Sequence, residues 1–361
     1  MATRTPALFT PFSMRDVTLP NRIVVSPMCQ YSAVDGLGSD WHIQNLGAKA
    51  MGGAGLVFTE ATHVSATARI TPGCLGLWDD AQEAFLKRVT ALIEYGGAVP
   101  GIQVAHAGRK ASSKRPWEGG TALRPEDGGW VPHAMSAIPF HDDAVIPHAM
   151  TVDELHGVAA AFGATAKRAV AAGFKVLEVH AAHGYLLHSA LSAISNKRND
   201  AYGGDLKGRA HLLMDVLDAV RAEWPAHLPL FVRISSTDWA EGGLTIEDTV
   251  EVARWLKARG DVDLIDCSAG GIASGVRIPS IHPGYQVPYA ERIRRDAGIP
   301  TAAVGMIRTA ELADEIVANG RADLVLLGRT LLADPAWPMR AAISMGVPPH
   351  LVPQYQRAAT G

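Results

Sequence analysis

Cysteine is scarce: Cys29, Cys74 and Cys267 stand far apart in a chain of 361 residues. Three scattered thiols exclude a disulfide framework, a zinc-type Cys-x-x-Cys pair and the four thiolates of an iron–sulfur cluster. Charge of one sign is also lacking. Thirty-three Lys and Arg face 36 Asp and Glu, a formal net charge of −3, so no basic field recommends nucleic acid as a partner. No run approaches the roughly 18 apolar residues of a membrane span, and Met1-Ala2-Thr3-Arg4-Thr5-Pro6 has no apolar leader stretch. A cytoplasmic protein without membrane contact is the expectation. Finally, no Gly-x-Gly-x-x-Gly turn follows any apolar run, which counts against a dinucleotide-binding doubly wound domain.

What is present is apolar mass with a rhythm. Apolar residues make up 48% of the chain and charged residues 19%, enough for a large core and too few charges for a disordered chain. Short apolar, often β-branched runs at 22–26, 55–59, 100–104, 175–179, 230–234, 262–267, 301–304 and 323–327 read as strands. Helical patterns follow at 42–51, 81–95, 152–172, 208–223, 246–259, 288–296, 310–318 and 331–345. Thr151 with Glu154 three residues on, and Thr309 before Ala310-Glu311, are helix-start signals. Eight such strands, each followed by a helix, predict an α/β fold: a single-domain (β/α)8 TIM barrel over 1–361. One connection breaks the rhythm. Residues 106–150, after the third strand, are rich in Pro, Gly, Trp and His, and a segment of that length in a compact domain is usually a functional loop.

Active sites of such barrels lie where the strands end. The first strand runs into Ser26-Pro27-Met28-Cys29-Gln30-Tyr31, the second into Thr59-Glu60-Ala61, and the third into Gln103-Val104-Ala105-His106-Ala107-Gly108-Arg109-Lys110. The fourth opens into His180-Ala-Ala-His183-Gly-Tyr185; Arg233 and Ser268 close the fifth and sixth. Two imidazoles can hold one oxygen, and a phenol with a reference pKa near 10 keeps its proton to donate at neutral pH. Gly305-Met306 and Gly328-Arg329 end the last two strands; glycines admit an anion to backbone amides, and Arg329 can add a charged pair. A phosphate-bearing ligand follows. Cys74 and Cys267 read as buried hydrophobes and His188 as a packing histidine. A His-x-x-His metal site is the competing reading, but two ligands are too few and Glu60 is the only nearby carboxylate, so no metal is expected. A metal-dependent hydrolase and a non-catalytic phosphate-ligand binding barrel are the alternatives.

The ordered set Ser26-Pro-Met-Cys-Gln-Tyr31, His106-Ala-Gly-Arg-Lys110, His180-Ala-Ala-His-Gly-Tyr-Leu-Leu-His188, Ser195-Asn-Lys-Arg-Asn-Asp-Ala-Tyr-Gly-Gly204 and Leu327-Gly-Arg329 resembles the Old Yellow Enzyme family. More narrowly, it is similar to the branch of xenobiotic reductases and thermostable-type ene-reductases, over nearly the whole chain. The resemblance implies a barrel holding non-covalent FMN, reduced by NAD(P)H, that reduces the C=C bond of activated small-molecule alkenes. It implies that Ser26, Pro27, Met28, Cys29, Ala61, Gln103 and Arg233 line the flavin ring, Arg233 near the N1/C2=O edge. It places Ser268, Gly305, Met306, Gly328 and Arg329 among the cofactor contacts. His180 and His183 would hold the substrate carbonyl, Tyr185 would protonate the α-carbon, and Tyr31 would add a hydrogen bond. Cys29 would tune potential rather than attack. The tail over 346–361 resembles one that reaches a neighbouring subunit, which would make Arg357 a substrate-pocket residue supplied in trans within a homodimer or homotetramer. Asp205 stands where the family often has serine; a local loop change is the expectation.

Overall fold

The computed structural model describes residues 5–359, so the ends of the expected domain at 1–4 and 360–361 lie outside the described residues. Eight parallel strands close on themselves: β1 (Ile23–Val25), β2 (Leu56–His63), β3 (Val99–Ala105), β4 (Val176–Ala181), β5 (Leu230–Ser235), β6 (Leu264–Ser268), β7 (Thr301–Ala303) and β8 (Leu324–Leu327). β8 pairs with β1 through Leu326 and Val24, which closes the barrel. Every residue of these strands is buried except Val99, because the interior packs one face and helices cover the other. This double burial is why the strands read as continuous apolar runs instead of alternating ones. Each of the eight expected strands is present.

The helices follow the same logic. Asp40–Met51, Asp80–Tyr95, Val152–Ala171, Leu206–Glu223, Ile246–Arg259, Val287–Ala297 and Ala310–Ala318 wrap the sheet. The Thr151 and Thr309 side chains accept from the Glu154 and Leu312 amides, as their spacing predicts. One expectation fails. The single helix at 331–345 is two, Arg329–Ala333 and Trp337–Ser344. Asp334 between them is extended (φ −150°, ψ 88°), the conformation imposed on a residue that precedes a proline, here Pro335.

Short elements escaped the sequence reading. Phe12–Met14 and Val17–Leu19 form a hairpin turned at Arg15 (φ 49°), whose guanidinium pairs with Asp263 at 2.7 Å beneath β6. Within 106–150, His133–Ala134 and His148–Ala149 pair as a two-residue ladder. The segment is tied over the strand ends: the Trp130 indole donates to the Thr67 carbonyl at 2.8 Å, and Arg69 lies between the Trp78 and Trp130 rings at 5.6 and 5.4 Å.

Candidate active site at the strand ends

β4 delivers His180, His183 and Tyr185, the candidate oxygen clamp and proton donor. His180 is buried, and its Nδ1 accepts the Ala182 amide at 3.2 Å, which puts the ring proton on Nε2. The chain then turns sharply. His183 adopts φ 59° and Gly184 φ 76°, and a Cβ on Gly184 would sit 2.1 Å from the Gly271 carbonyl oxygen, so only glycine fits. The His183 turn is braced twice: its amide donates to Ser235 Oγ at 3.0 Å, and Lys110 Nζ donates to its carbonyl at 2.8 Å. Ser268 Oγ stands 2.7 Å from His183 Nε2; with the hydroxyl as donor there, Nδ1 holds the ring proton. The His180 ring lies 5.2 Å from the His183 ring and 5.1 Å from that of Tyr185. Burial, then the Arg233 charge, hold both imidazoles well below their ordinary value, so each is neutral with one N–H. Burial likewise raises the Tyr185 phenol well above its usual range and keeps it protonated.

β1 supplies the facing wall. Tyr31 takes φ 52°, and with Cys29, Tyr185 and Trp130 it packs on a small apolar cluster of Ile70, Cys74, Ala107 and Ala111. Burial raises the Cys29 thiol and the Tyr31 phenol, so neither is an anion at neutral pH. Cys74 and Cys267 are fully buried, in keeping with a packing role. His188 is too: its Nδ1 accepts the Gly184 amide at 2.7 Å and Nε2 meets Asp238 at 2.8 Å.

Inside the rim lies a charged group that sequence reasoning only half saw. Arg233 Nε is 3.0 Å from Asp266 Oδ2, and Nη1 donates to Ser26 Oγ at 3.3 Å. Among the described residues no hydrogen bond engages its Nη2. Gln103 Nε2 donates to Glu178 Oε1 at 2.8 Å, leaving its carbonyl oxygen for another partner. Burial pushes Asp266 up to about 6 and Glu178 well above the carboxylate range. Glu178 Oε2 and Asp266 Oδ1 have no hydrogen-bond partner although buried. The signal for both was present: one carboxylate in each of the otherwise apolar runs Val176–Val179 and Leu264–Cys267.

The ends of β7 and β8 frame a cleft of about 490 Å³ lined by Gln286, Gly305, Met306, Arg308, Gly328 and Arg329. Gly305 takes φ 129° and Met306 φ 53°, turning the chain away so that the cleft stays open. Arg329 has a companion the sequence reading missed, Arg308, three residues after Gly305; both are exposed, and among the described residues neither forms an ion pair. Two available guanidiniums beside glycines fit a phosphate. Pro27, Met28 and Ala61 lie at the ends of β1 and in β2, with Met28 Sδ 3.5 Å from where a Cβ on Gly328 would stand.

Glu60, the carboxylate of the competing metal reading, and Arg357 of the tail both lie elsewhere. Glu60 pairs with His42 at 3.0 Å and accepts the Gln30 amide, and no three His, Cys, Asp or Glu side chains group as metal ligands among the described residues. Arg357 is not brought to its own chain's site. Gln354 Nε2 donates to Tyr95 Oη at 2.7 Å, and His350 packs over Gly97, which seats the tail where the strands begin.

The sequence profile of the NADH:flavin oxidoreductase / NADH oxidase family matches residues 7–346. The chain belongs to that family. It is 46% identical to the NADPH dehydrogenase of Listeria innocua serovar 6a over 353 residues, 97% of this chain and 98% of that protein. The NADPH dehydrogenase of Geobacillus thermodenitrificans is 46% identical over 352 residues, with the same coverage. Among solved structures, morphinone reductase superposes with a TM-score of 0.78 at 26% identity, over 97% of this chain and 92% of its own. A 2-naphthoyl-CoA reductase complex gives 0.84 at 26% identity over 95% of this chain and 52% of its own. This flavin oxidoreductase is thus an enzyme of the Old Yellow Enzyme type, with FMN as cofactor and NAD(P)H as reductant. Its donors suit that cofactor: a cationic fork in Arg233, an acceptor in Gln103 and two arginines at the phosphate end.

Proposed function

We propose that this flavin oxidoreductase is an ene-reductase that reduces activated C=C bonds in enones, enals, maleimides and nitroalkenes by a ping-pong cycle. The observation that carries the reading is a neutral His180 whose ring centre lies 5.2 Å from that of the neutral His183 and 5.1 Å from that of the protonated Tyr185. FMN, when bound, supplies the hydride that NAD(P)H delivers to it. Ser26, Pro27, Met28, Cys29, Ala61, Gln103 and Arg233 would border its ring. Ser268, Gly305, Met306, Gly328 and Arg329, joined by Arg308, would hold the remainder, with Ser268 also orienting His183.

The chain's own residues do the rest. His180 Nε2–H and His183 Nδ1–H bind the carbonyl or nitro oxygen, and their hydrogen bonds strengthen as that oxygen gains charge. Tyr31, which packs on the same small cluster as Tyr185, would add a hydrogen bond. Tyr185 gives its proton to the α-carbon. Burial keeps that proton on the phenol until it is transferred. Cys29, neutral and polarisable, modulates its surroundings without attacking. Neither a hydrolase nor a passive phosphate binder requires a neutral clamp beside a phenol.

The deciding experiment is spectroscopic. Purified protein is expected to be yellow, to bleach anaerobically with NAD(P)H, and to recover its bands with 2-cyclohexenone. A flavin that bleaches but is reoxidised by none of the activated alkenes would sink the ene-reductase reading.

A further inference from the structure

Beside the clamp, under the 106–150 segment, a second cavity of about 740 Å³ opens from Tyr31 towards Phe140 and Val145. It shares Tyr31 and Lys110 with the active site, and Lys110 Nζ stands 5.1 Å from the centre of the Tyr185 ring. Its lining includes Arg109, Lys110, Lys114 and His141 and no Asp or Glu, although the chain as a whole is acidic. Asp142 and Asp143 follow His141 but do not line it.

The three cations differ in what they do. Arg109 is a strut, its guanidinium donating to the carbonyls of Ile138, Pro139 and Ile272. Lys110 is another, held by the His183 and Gly271 carbonyls and lying 4.4 Å from the centre of the Phe140 ring. Lys114 is different. Its amide donates to the Thr121 carbonyl at 2.8 Å, but among the described residues its ammonium has neither hydrogen bond nor ion pair. The nearby carboxylate, Glu118, is taken by Arg115 at 3.0 Å. A half-buried cation in a pocket without carboxylates favours an anion there. Lys114 stands four positions after Lys110, so the two lie within about 14 Å of one another along the chain.

We propose that this cavity is an anion-accepting annex of the active site, with Lys114 binding a phosphate or carboxylate carried several bonds from the reacting atoms. The inference rests on the ene-reductase reading for the position of those atoms. The anion can come from the nicotinamide nucleotide or from an acidic alkene, and the two sources separate experimentally.

The test uses the FMN-loaded enzyme and its Lys114→Met and Lys114→Glu variants in stopped flow. Flavin reduction is followed with NADPH and with NADH, and reoxidation with cinnamaldehyde and with 4-carboxycinnamaldehyde. The expected result is unchanged reoxidation by neutral cinnamaldehyde with an about five- to tenfold weaker apparent Kd for an anionic reactant, larger for Glu than for Met. Weakening of NADPH alone identifies its 2′-phosphate, of both nucleotides the pyrophosphate, and of the carboxylated enal the substrate. No change in any arm, or equal loss for cinnamaldehyde, overturns the proposal. Failure of wild-type reduced enzyme to be reoxidised by cinnamaldehyde or by any other activated alkene would instead overturn the ene-reductase reading, and the nucleotide arm would still decide the annex.

Discussion

At the scale of single residues, the site works by neutrality. Burial holds His180, His183, Tyr185 and Cys29 neutral, so the proposed clamp would donate hydrogen bonds without carrying a cation of its own. Tyr185→Phe is therefore expected to slow flavin reoxidation by an alkene while leaving reduction by NAD(P)H nearly intact; equal slowing of both half-reactions would contradict the proton-donor role. His180→Ala removes one oxygen-binding donor and is expected to cost about 10²–10³ in the reoxidation rate, read in the same traces. Asp266 gives a pH signature in stability. Its folded-state pKa, about 6, lies above the ordinary carboxylate value of about 3.9. Between those values the folded state binds more protons than the unfolded, so this group's contribution falls as pH rises from about 4 to 6. Urea midpoints of the apoprotein should show that decline flattened in Asp266→Asn relative to wild type; parallel curves would mean Asp266 does not titrate there.

At the scale of elements, caps and ties place what the strands deliver. Asp205 starts the helix Leu206–Glu223 and its carboxylate accepts the Gly208 amide at 2.8 Å, the contact a serine would also make. An aspartate here thus provides the helix start that a serine would provide. Asp205→Ser is expected to leave stability almost unchanged and Asp205→Ala to cost about 1 kcal/mol, measured by denaturant unfolding. The 106–150 segment is secured differently, by the Trp130–Thr67 bond and the stacked Arg69. These pairings join residues more than sixty positions apart, so no local pattern announces them. The two-residue ladder at His133 and His148 is as illegible, being too short for a period. The barrel strands were legible for the opposite reason: burial on both faces writes an uninterrupted apolar run.

At the scale of the whole molecule, the tail lies at the end of the barrel where the strands begin. Gln354 and His350 seat it at the end of the barrel opposite the clamp, so a role for Arg357 in catalysis has to be played in a neighbouring subunit. We propose such a shared site in a homodimer or homotetramer. Deleting the chain after Pro353 is then expected to raise KM for the alkene while FMN stays bound; unchanged KM values would sink the shared site.

By itself, the sequence determined the barrel, the order of its strands and the residues at their ends, because apolar runs, caps and strand-end motifs are local consequences of burial and chain geometry. It also singled out the clamp, since two histidines and a tyrosine within six residues are close whatever the fold. The tertiary structure alone decided the rest. It set Asp266 against Arg233, Glu178 against Gln103, Arg308 beside Arg329 and Ser268 against His183, and placed Lys114 in a cavity wall free of carboxylates. Those pairings join different strands and loops. Their energy depends on distance and burial across the closed barrel, quantities that have no trace in the order of residues along the chain.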